Sequence, residues 1–188
     1  MEDVTKKTWL EVALNGPWTQ EKQARIPIKV EDIVQQGIAC VNAGAAIVHV
    51  HAYDEETGRQ KDDVDVYKKI IEGIRTEVDA IVYPTVSASG MNPIDERSTG
   101  EDRYAHIESL AKDGFLEWTV LDPGSCNFSH YDQLKEDKVG YVYQNSEADA
   151  RHGMGVAHKY GLHPSYAIYE PGFARLGANL HWRESTPD

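Results

Sequence analysis

Short apolar runs alternate with segments of helical periodicity along the whole chain. The runs predict strands at residues 8–14, 45–53, 80–86, 115–121 and 163–169. Apolar residues spaced three and four apart predict helices at residues 30–42, 62–78, 102–112, 147–160 and 173–182. A further short strand is predicted at residues 139–143. Strands that alternate with helices in this order are typical of βα units and indicate a parallel sheet.

The second predicted helix has the clearest apolar face. Its members recur at helical spacing and are predicted to pack in the core: Val66, Tyr67, Ile70, Ile71 and Ile74. The polar segment from residue 87 to residue 100 is predicted to be a loop. The 188 residues are enough for one domain with a sizeable core, so residues 1–188 are predicted to form a single domain.

Two histidines, His49 and His51, lie at the end of the second predicted strand. Side chains two residues apart on a strand point to the same face, which puts the two Cα atoms about 6–7 Å apart. Both imidazoles can then reach one divalent ion at about 2.0–2.1 Å. The alternative is that each is an ordinary polar side chain at a strand end, because H-x-H is a short pattern.

Acidic residues follow the two histidines in a turn that contains Gly58. Asp54 and Glu56 are candidates to orient an imidazole by accepting a hydrogen bond from it. The simpler interpretation is that both carboxylates are solvated, as loop acids commonly are.

Two architectures fit a parallel sheet with helices, an open doubly wound sheet and a (β/α)8 barrel. The first strand-to-helix turn, Asn15–Trp18, lacks the G-x-G-x-x-G spacing of a dinucleotide site. Polar residues instead follow the C-terminal ends of successive predicted strands, where barrel enzymes keep their chemistry: Asn15, His49, His51, Thr85, Ser87, Asp122, Ser125, Asn127 and Glu170. The fold class is therefore predicted to be α/β, of the (β/α)8 TIM-barrel type. A complete barrel has eight strands in typically about 250 residues, so this chain is predicted to hold only about the first five βα units.

Several of these strand-end residues are candidate site residues. Thr85 and Ser87 are candidates to hydrogen-bond a substrate carboxylate, and capping of a local turn is the alternative. Asn15 is a candidate donor to substrate, although turn formation is the simpler interpretation. Glu170 is predicted to be a catalytic residue, with a structural ion pair as the alternative.

Composition restricts the partners of the chain. The net charge of −12 argues against nucleic acid and against anionic membranes. No apolar run approaches the roughly 18 residues that a membrane-spanning helix needs. No secretory signal is visible at the N-terminus, and two cysteines do not indicate a disulfide framework, so a cytoplasmic location is predicted.

Four segments carry a more specific signal when they are taken together and in order. They are Asn42–His51, Thr57–Arg59, Leu121–Ser125 with Asn127–Phe128, and Tyr169–Gly172. In this combination the chain resembles the β-keto acid cleavage enzymes, a family that includes 3-keto-5-aminohexanoate cleavage enzyme. The resemblance extends from about residue 8 to residue 176 and is far more specific than H-x-H alone.

The resemblance implies a fold, a reaction and a cofactor. It implies a homo-oligomeric (β/α)8 barrel with a divalent metal, most often zinc, bound by His49 and His51. It also implies acyl exchange between a β-keto acid and acetyl-CoA, which gives acetoacetate and a new CoA thioester. Ser125, together with Asn127, is then a candidate to line the CoA channel. A metal that chelates the ketone and carboxylate oxygens stabilises the enolate as a Lewis acid.

The chain departs from the family pattern in three respects. The family's third metal ligand is a glutamate from a late strand, with an arginine and an aspartate close to it, and these residues are not in this sequence; Glu170 matches a separate acidic residue. Trp18 stands where members that act on amino-substituted keto acids have an acidic residue, which argues against a cationic amine on the substrate. Thr85 keeps a hydroxyl where some members have serine, whereas Val120 lacks one where some have threonine. Which keto acid is used stays open.

Two alternatives to this function remain at the level of sequence. One is another metal-assisted TIM-barrel C–C lyase, such as an aldolase or decarboxylase that works without CoA. The other is a truncated, catalytically inert chain whose exposed strand edges favour association.

Overall fold

The computed structural model describes residues 8–18, 20–21, 23–87 and 99–185. The chain divides into two compact units, residues 1–85 and residues 86–188. The prediction that residues 1–188 form a single domain stays a prediction. None of the helices in the described ranges combines the length and the apolar character needed to cross a lipid bilayer.

The first unit is built on a three-stranded parallel sheet. Its strands are β1 (Glu11–Ala13), β2 (Ile47–Val50) and β5 (Ile81–Pro84), in the order β1-β2-β5. A two-residue antiparallel pair, β3 (Tyr53–Asp54) with β4 (Arg59–Gln60), follows β2. The helices are α1 (Val30–Asn42) and α2 (Val64–Glu77). The parallel pairing that the sequence predicts is confirmed here, and β3 and β4 were not predicted.

Helices α1 and α2 pack against each other through small residues. A Cβ added at Gly37 would lie 2.6 Å from Ile74 Cδ1, and one added at Gly73 would lie 2.8 Å from Val34 Cγ2. The missing side chains therefore let the two helices approach closely. Helix α2 begins at an effective cap, since the Asp63 side chain accepts hydrogen bonds from the backbone amides of the next turn. Four of the five residues of its predicted apolar face are buried, and Val66 is half-buried.

The second unit contains two separate strand pairs. Strands β6 (Trp118–Leu121) and β9 (His163–Tyr166) are parallel, whereas β7 (Cys126–Phe128) and β8 (Tyr141–Tyr143) are antiparallel. Its helices are α3 (Gly100–Lys112), α4 (Tyr131–Lys135), α5 (Glu147–Tyr160) and α6 (Pro171–Ser185). The predicted strand at residues 139–143 is confirmed over its last three residues, whereas β7 and α4 were not predicted. Most of the loop predicted at residues 87–100 lies outside the described residues.

Helix α5 shows why one segment was predicted with correct bounds. Ser146 and Asp149 form a reciprocal capping box at its start. Gly161 ends it in the left-handed conformation with φ of 65°, which glycine adopts without steric cost. The strands are shorter than predicted, because an apolar run continues beyond the residues that hydrogen-bond to a neighbouring strand.

Candidate metal centre

The central strand of the first unit positions the two histidines. In the parallel register, His49 lies between Ala13 of β1 and Tyr83 of β5. His51 follows the end of β2 directly. The other β2 side chains are buried on both faces of the strand. The register of β2 with both neighbouring strands therefore sets the positions of the two histidine residues.

The two imidazoles lie side by side, with ring centroids 5.3 Å apart and ring planes at 82°. Two imidazoles bonded to one tetrahedral ion at about 2.0–2.1 Å have centroids about 5 Å apart. His51 is only 7% exposed, and His49 is half-buried. The separation thus fits a shared ion without rearrangement of the strand.

The ring nitrogens are prepared to act as neutral ligands. His49 Nδ1 is buried and has no hydrogen-bond partner within the described residues, which is rare for a buried polar atom. Burial, and to a lesser extent the neighbouring His51, lowers the pKa of His49 to about 3. Burial also lowers the pKa of His51, against the opposing effects of Gln60 and Asp62. Neutral imidazole is the form that binds metals.

The rest of a metal coordination sphere is not present in the described part of the chain. There, no group of three or more histidine, cysteine, aspartate or glutamate side chains is placed to hold an ion. The residues present fit a divalent metal as two nitrogen ligands, and two positions remain open in a tetrahedral sphere.

The carboxylates of the turn after β2 do not orient an imidazole, and the candidate roles of Asp54 and Glu56 are wrong. Asp54 Oδ1 accepts hydrogen bonds from the Glu56 amide at 3.1 Å and from the Thr57 amide at 2.9 Å, so it closes the turn. The partner of His51 is instead Gln60, whose Oε1 lies 2.8 Å from His51 Nδ1. Strand β4 brings Gln60 there by pairing opposite Tyr53.

Asn15 fastens the first strand to the metal centre. Its Nδ2 donates to the carbonyls of Pro27 at 3.2 Å and His51 at 3.1 Å, and its Oδ1 accepts from the His51 amide at 2.8 Å. Both amide hydrogens are therefore used on the backbone. Asn15 holds the backbone of a candidate ligand, and its predicted donation to substrate stays a prediction.

The remaining candidate residues lie in different units. Thr85 follows β5 and is buried, and its amide donates to Val50 at 2.9 Å. In the second unit, the Ser87 carbonyl accepts a hydrogen bond from Arg103 Nε at 2.8 Å. Ser125 and Glu170 line one cavity of about 340 Å³. Their substrate and catalytic roles stay predictions.

The strand-end aspartate of the second unit, Asp122, is buried. Its Oδ2 accepts a hydrogen bond from the Tyr143 hydroxyl, and its Oδ1 has no hydrogen-bond partner among the described residues. Burial raises the pKa of Asp122, against the lowering effect of the Tyr143 hydrogen bond. Its place after β6 was visible in the sequence, but its pairing with β8 was not.

The metal-free protein is expected to lose stability as the pH falls below about 6.5. Unfolded imidazoles bind protons near pH 6.5, whereas folded His49 does so only near 3. The unfolded state then holds more protons, so His49 contributes a loss of up to about 1.4 kcal/mol per pH unit over this window. Urea unfolding from pH 7.5 to pH 5 measures it. Replacing His49 and His51 with glutamine is expected to make the free energy of unfolding depend less on pH. An equal pH dependence in the wild type and the variant would contradict the prediction.

Comparison with known proteins identifies the family. A family model described as beta-keto acid cleavage enzyme matches residues 7–185. The chain belongs to the β-keto acid cleavage enzyme family. The match includes His49, His51 and every described residue, and it confirms the resemblance of the sequence segments.

Curated relatives share modest sequence identity with this protein. A 3-dehydrocarnitine:acetyl-CoA trimethylamine transferase of Rhizobium meliloti is 26% identical over 184 residues, which cover 90% of this chain and 57% of that protein. A 3-keto-5-aminohexanoate cleavage enzyme of Fusobacterium nucleatum is 26% identical, over 82% of this chain and 49% of that protein. One of the same name from Acetoanaerobium sticklandii is 31% identical, over 58% and 36%. The chain spans about half the length of the curated relatives it matches.

Proposed function

We propose that the protein exchanges acyl groups between a β-keto acid and acetyl-CoA, giving acetoacetate and a new acyl-CoA. The observation that carries the proposal is the pair of neutral, closely spaced imidazoles of His49 and His51 in a member of this family. The name of the Rhizobium relative, a 3-dehydrocarnitine:acetyl-CoA trimethylamine transferase, supports acetyl-CoA as the co-substrate.

The two histidines are assigned to hold a divalent metal, with zinc as the expected ion. Bound there, the metal supplies Lewis-acid stabilisation of the negative charge that develops when a β-keto acid loses its α-proton. His49 and His51 are neutral ligands and leave the charge of the ion undiminished. Asn15 holds the His51 backbone in place through two hydrogen bonds.

The substrate contacts are assigned to residues that follow the strands. Thr85 and Ser87 are proposed to bind the substrate carboxylate, and Ser125 to line the CoA channel. Glu170 is proposed as a catalytic residue. The shared cavity of Ser125 and Glu170, which also includes Arg175 and Asn179, supports a binding role for this part of the second unit.

The first loop is proposed to select the acyl group. Trp18 has an indole in place of the carboxylate that would pair with a primary ammonium, so a β-keto acid whose acyl part carries no cationic amine is the expected substrate. A quaternary ammonium does not need a hydrogen-bond acceptor and binds the face of an indole. The trimethylammonium substrate named for the Rhizobium relative is therefore the charged compound to compare.

Three further properties belong to the proposal. We propose that the complete protein is a (β/α)8 barrel, that it forms a homo-oligomer and that it works in the cytoplasm. Parallel pairing within each unit supports the barrel. The oligomer rests on the family resemblance alone.

Formation of acetoacetate tests the proposal. The protein is purified from the organism that produces it and loaded with zinc. It is then incubated with acetyl-CoA labelled with ¹³C in the acetyl group. The panel holds an aliphatic β-keto acid, 3-keto-5-aminohexanoate and 3-dehydrocarnitine. We expect labelled acetoacetate and a new acyl-CoA, with the aliphatic acid preferred to the primary amine. No turnover of any β-keto acid, with zinc bound, would contradict the proposal.

The same assay separates the competing functions. Cleavage of the β-keto acid at the same rate without acetyl-CoA would identify a CoA-independent lyase. A folded protein that binds neither zinc nor substrate would identify an inert chain.

A further inference from the structure

A chain of hydrogen bonds runs from His51 into the interior of the first unit. Gln60 Oε1 lies 2.8 Å from His51 Nδ1, and Gln60 Nε2 lies 3.1 Å from Asp62 Oδ1. The Tyr67 hydroxyl also donates to Asp62 Oδ1, at 3.1 Å. A backbone hydrogen bond from Ala52 reaches the Tyr67 hydroxyl and ends the chain. Gln60 and Asp62 are part-buried, and Tyr67 is fully buried.

The chemistry of the donors and acceptors allows only one direction of donation along this series of hydrogen bonds. An ionised carboxylate only accepts hydrogen bonds, so the Gln60 atom that faces Asp62 must be the amide nitrogen. The amide oxygen of Gln60 therefore faces His51 and can only accept. His51 Nδ1 must then carry the proton, which leaves the lone pair of neutral His51 on Nε2.

We propose that Gln60 is a positioning residue that holds His51 in the Nδ1–H form with its Nε2 lone pair free for the metal, and that Asp62 and Tyr67 orient Gln60 for this task. Histidine ligands in metalloproteins commonly donate their second ring N–H to such a partner, and its loss typically costs about 10–100-fold in metal affinity. The part of this inference that concerns the metal rests on the proposed function.

These hydrogen bonds make the surroundings of His51 different from those of His49. His51 has a built partner for its Nδ1, whereas the buried His49 Nδ1 has none within the described residues. Among the described residues, a hydrogen bond to Nδ1 therefore fixes the tautomer and rotation of the His51 ring alone. The His49 ring lies against two other rings, that of His51 at 5.3 Å and that of Tyr83 at 4.9 Å.

The tautomer can be read without any metal. Long-range ¹H–¹⁵N spectra of the ¹⁵N-labelled, metal-free chain at pH 7 distinguish Nδ1–H from Nε2–H imidazole. We expect His51 in the Nδ1–H form in the wild type and in Gln60→Glu, which keeps an acceptor. Gln60→Ala is expected to give a mixture of the two forms. Asp62→Asn is also expected to give a mixture of the two forms, because an asparagine amide does not fix the orientation of the Gln60 amide.

Metal affinity supplies the second reading. Cobalt(II) titration followed by visible absorption is expected to show roughly 10–100-fold weaker binding by Gln60→Ala. Gln36→Ala, which removes an exposed glutamine side chain on α1, is the matched control and is expected to bind as the wild type does.

Two results would overturn the inference. One is His51 in the Nε2–H form in the wild type, a reading that does not depend on any variant folding. The other is an unchanged tautomer and unchanged cobalt affinity in folded Gln60→Ala. If wild-type protein with Nδ1–H His51 bound no cobalt, the proposed metal function would fail and the tautomer assignment would stand.

Discussion

Replacing both His49 and His51 with alanine is expected to abolish zinc binding. The pair supplies the two nitrogen ligands of the proposed site, and within the described residues no third histidine, cysteine, aspartate or glutamate is placed to join them. The loss should exceed the roughly 10–100-fold cost of removing an outer-shell partner. Isothermal titration with zinc measures it, after extraction of any ion that copurifies.

Single variants and a control make this result specific. Each single alanine variant is expected to weaken binding strongly, since one imidazole cannot hold the ion alone. His158→Ala, which removes an exposed imidazole on α5, is expected to bind zinc as the wild type does. Unchanged affinity in the double variant, with a wild-type circular dichroism spectrum, would show that zinc binds elsewhere.

Replacing Arg103 with alanine is expected to destabilise the second unit by about 3–5 kcal/mol. The guanidinium is 1% exposed and donates to the Ser87 carbonyl at 2.8 Å and to Asn145 Oδ1 at 2.6 Å. It also lies 3.5 Å from Asp149, whose side chain is 16% exposed. Removing it leaves Asn145 Oδ1 without this donor and takes the cation away from a largely buried carboxylate, which among the described residues keeps only its hydrogen bonds from Ser146. Urea denaturation followed by far-ultraviolet circular dichroism measures the change.

A second arginine in the same unit is the matched control. Arg151 pairs with Glu147 on the surface of α5, where both side chains are more than half exposed. Arg151→Ala is expected to cost no more than about 0.5 kcal/mol. Arg103→Lys is expected to lose much of the stability as well, because an ammonium cannot reproduce the planar fork of donors. Similar losses in Arg103→Ala and Arg151→Ala would refute this assignment.

Helix positions followed from local signals that the sequence displays. Helix α1 was predicted with correct bounds from its apolar spacing, and α5 from its periodicity, with a capping box and Gly161 at its ends. Strand lengths did not follow, because pairing with a neighbour, and not apolarity, decides where a strand ends. The short pairs β3–β4 and β7–β8 depend on contacts across a turn and carry almost no periodic signal.

The candidate site was predictable only in its first layer. The spacing of His49 and His51 on one strand face was enough to place the rings together. Gln60 was missed because it reaches His51 through the β3–β4 pair, and Asp54 looked like the nearer acceptor. Tyr67 was predicted as a core residue and is buried. The hydrogen bond that its hydroxyl donates to Asp62 could not be predicted from an apolar pattern.

Zinc K-edge X-ray absorption of the zinc-loaded chain determines whether the imidazoles of His49 and His51 bind one metal ion. We expect two imidazole nitrogens at about 2.0–2.1 Å from the ion, and loss of their scattering when His49 and His51 are both replaced with alanine. A spectrum with only oxygen neighbours, or one that the double replacement leaves unchanged, would contradict it.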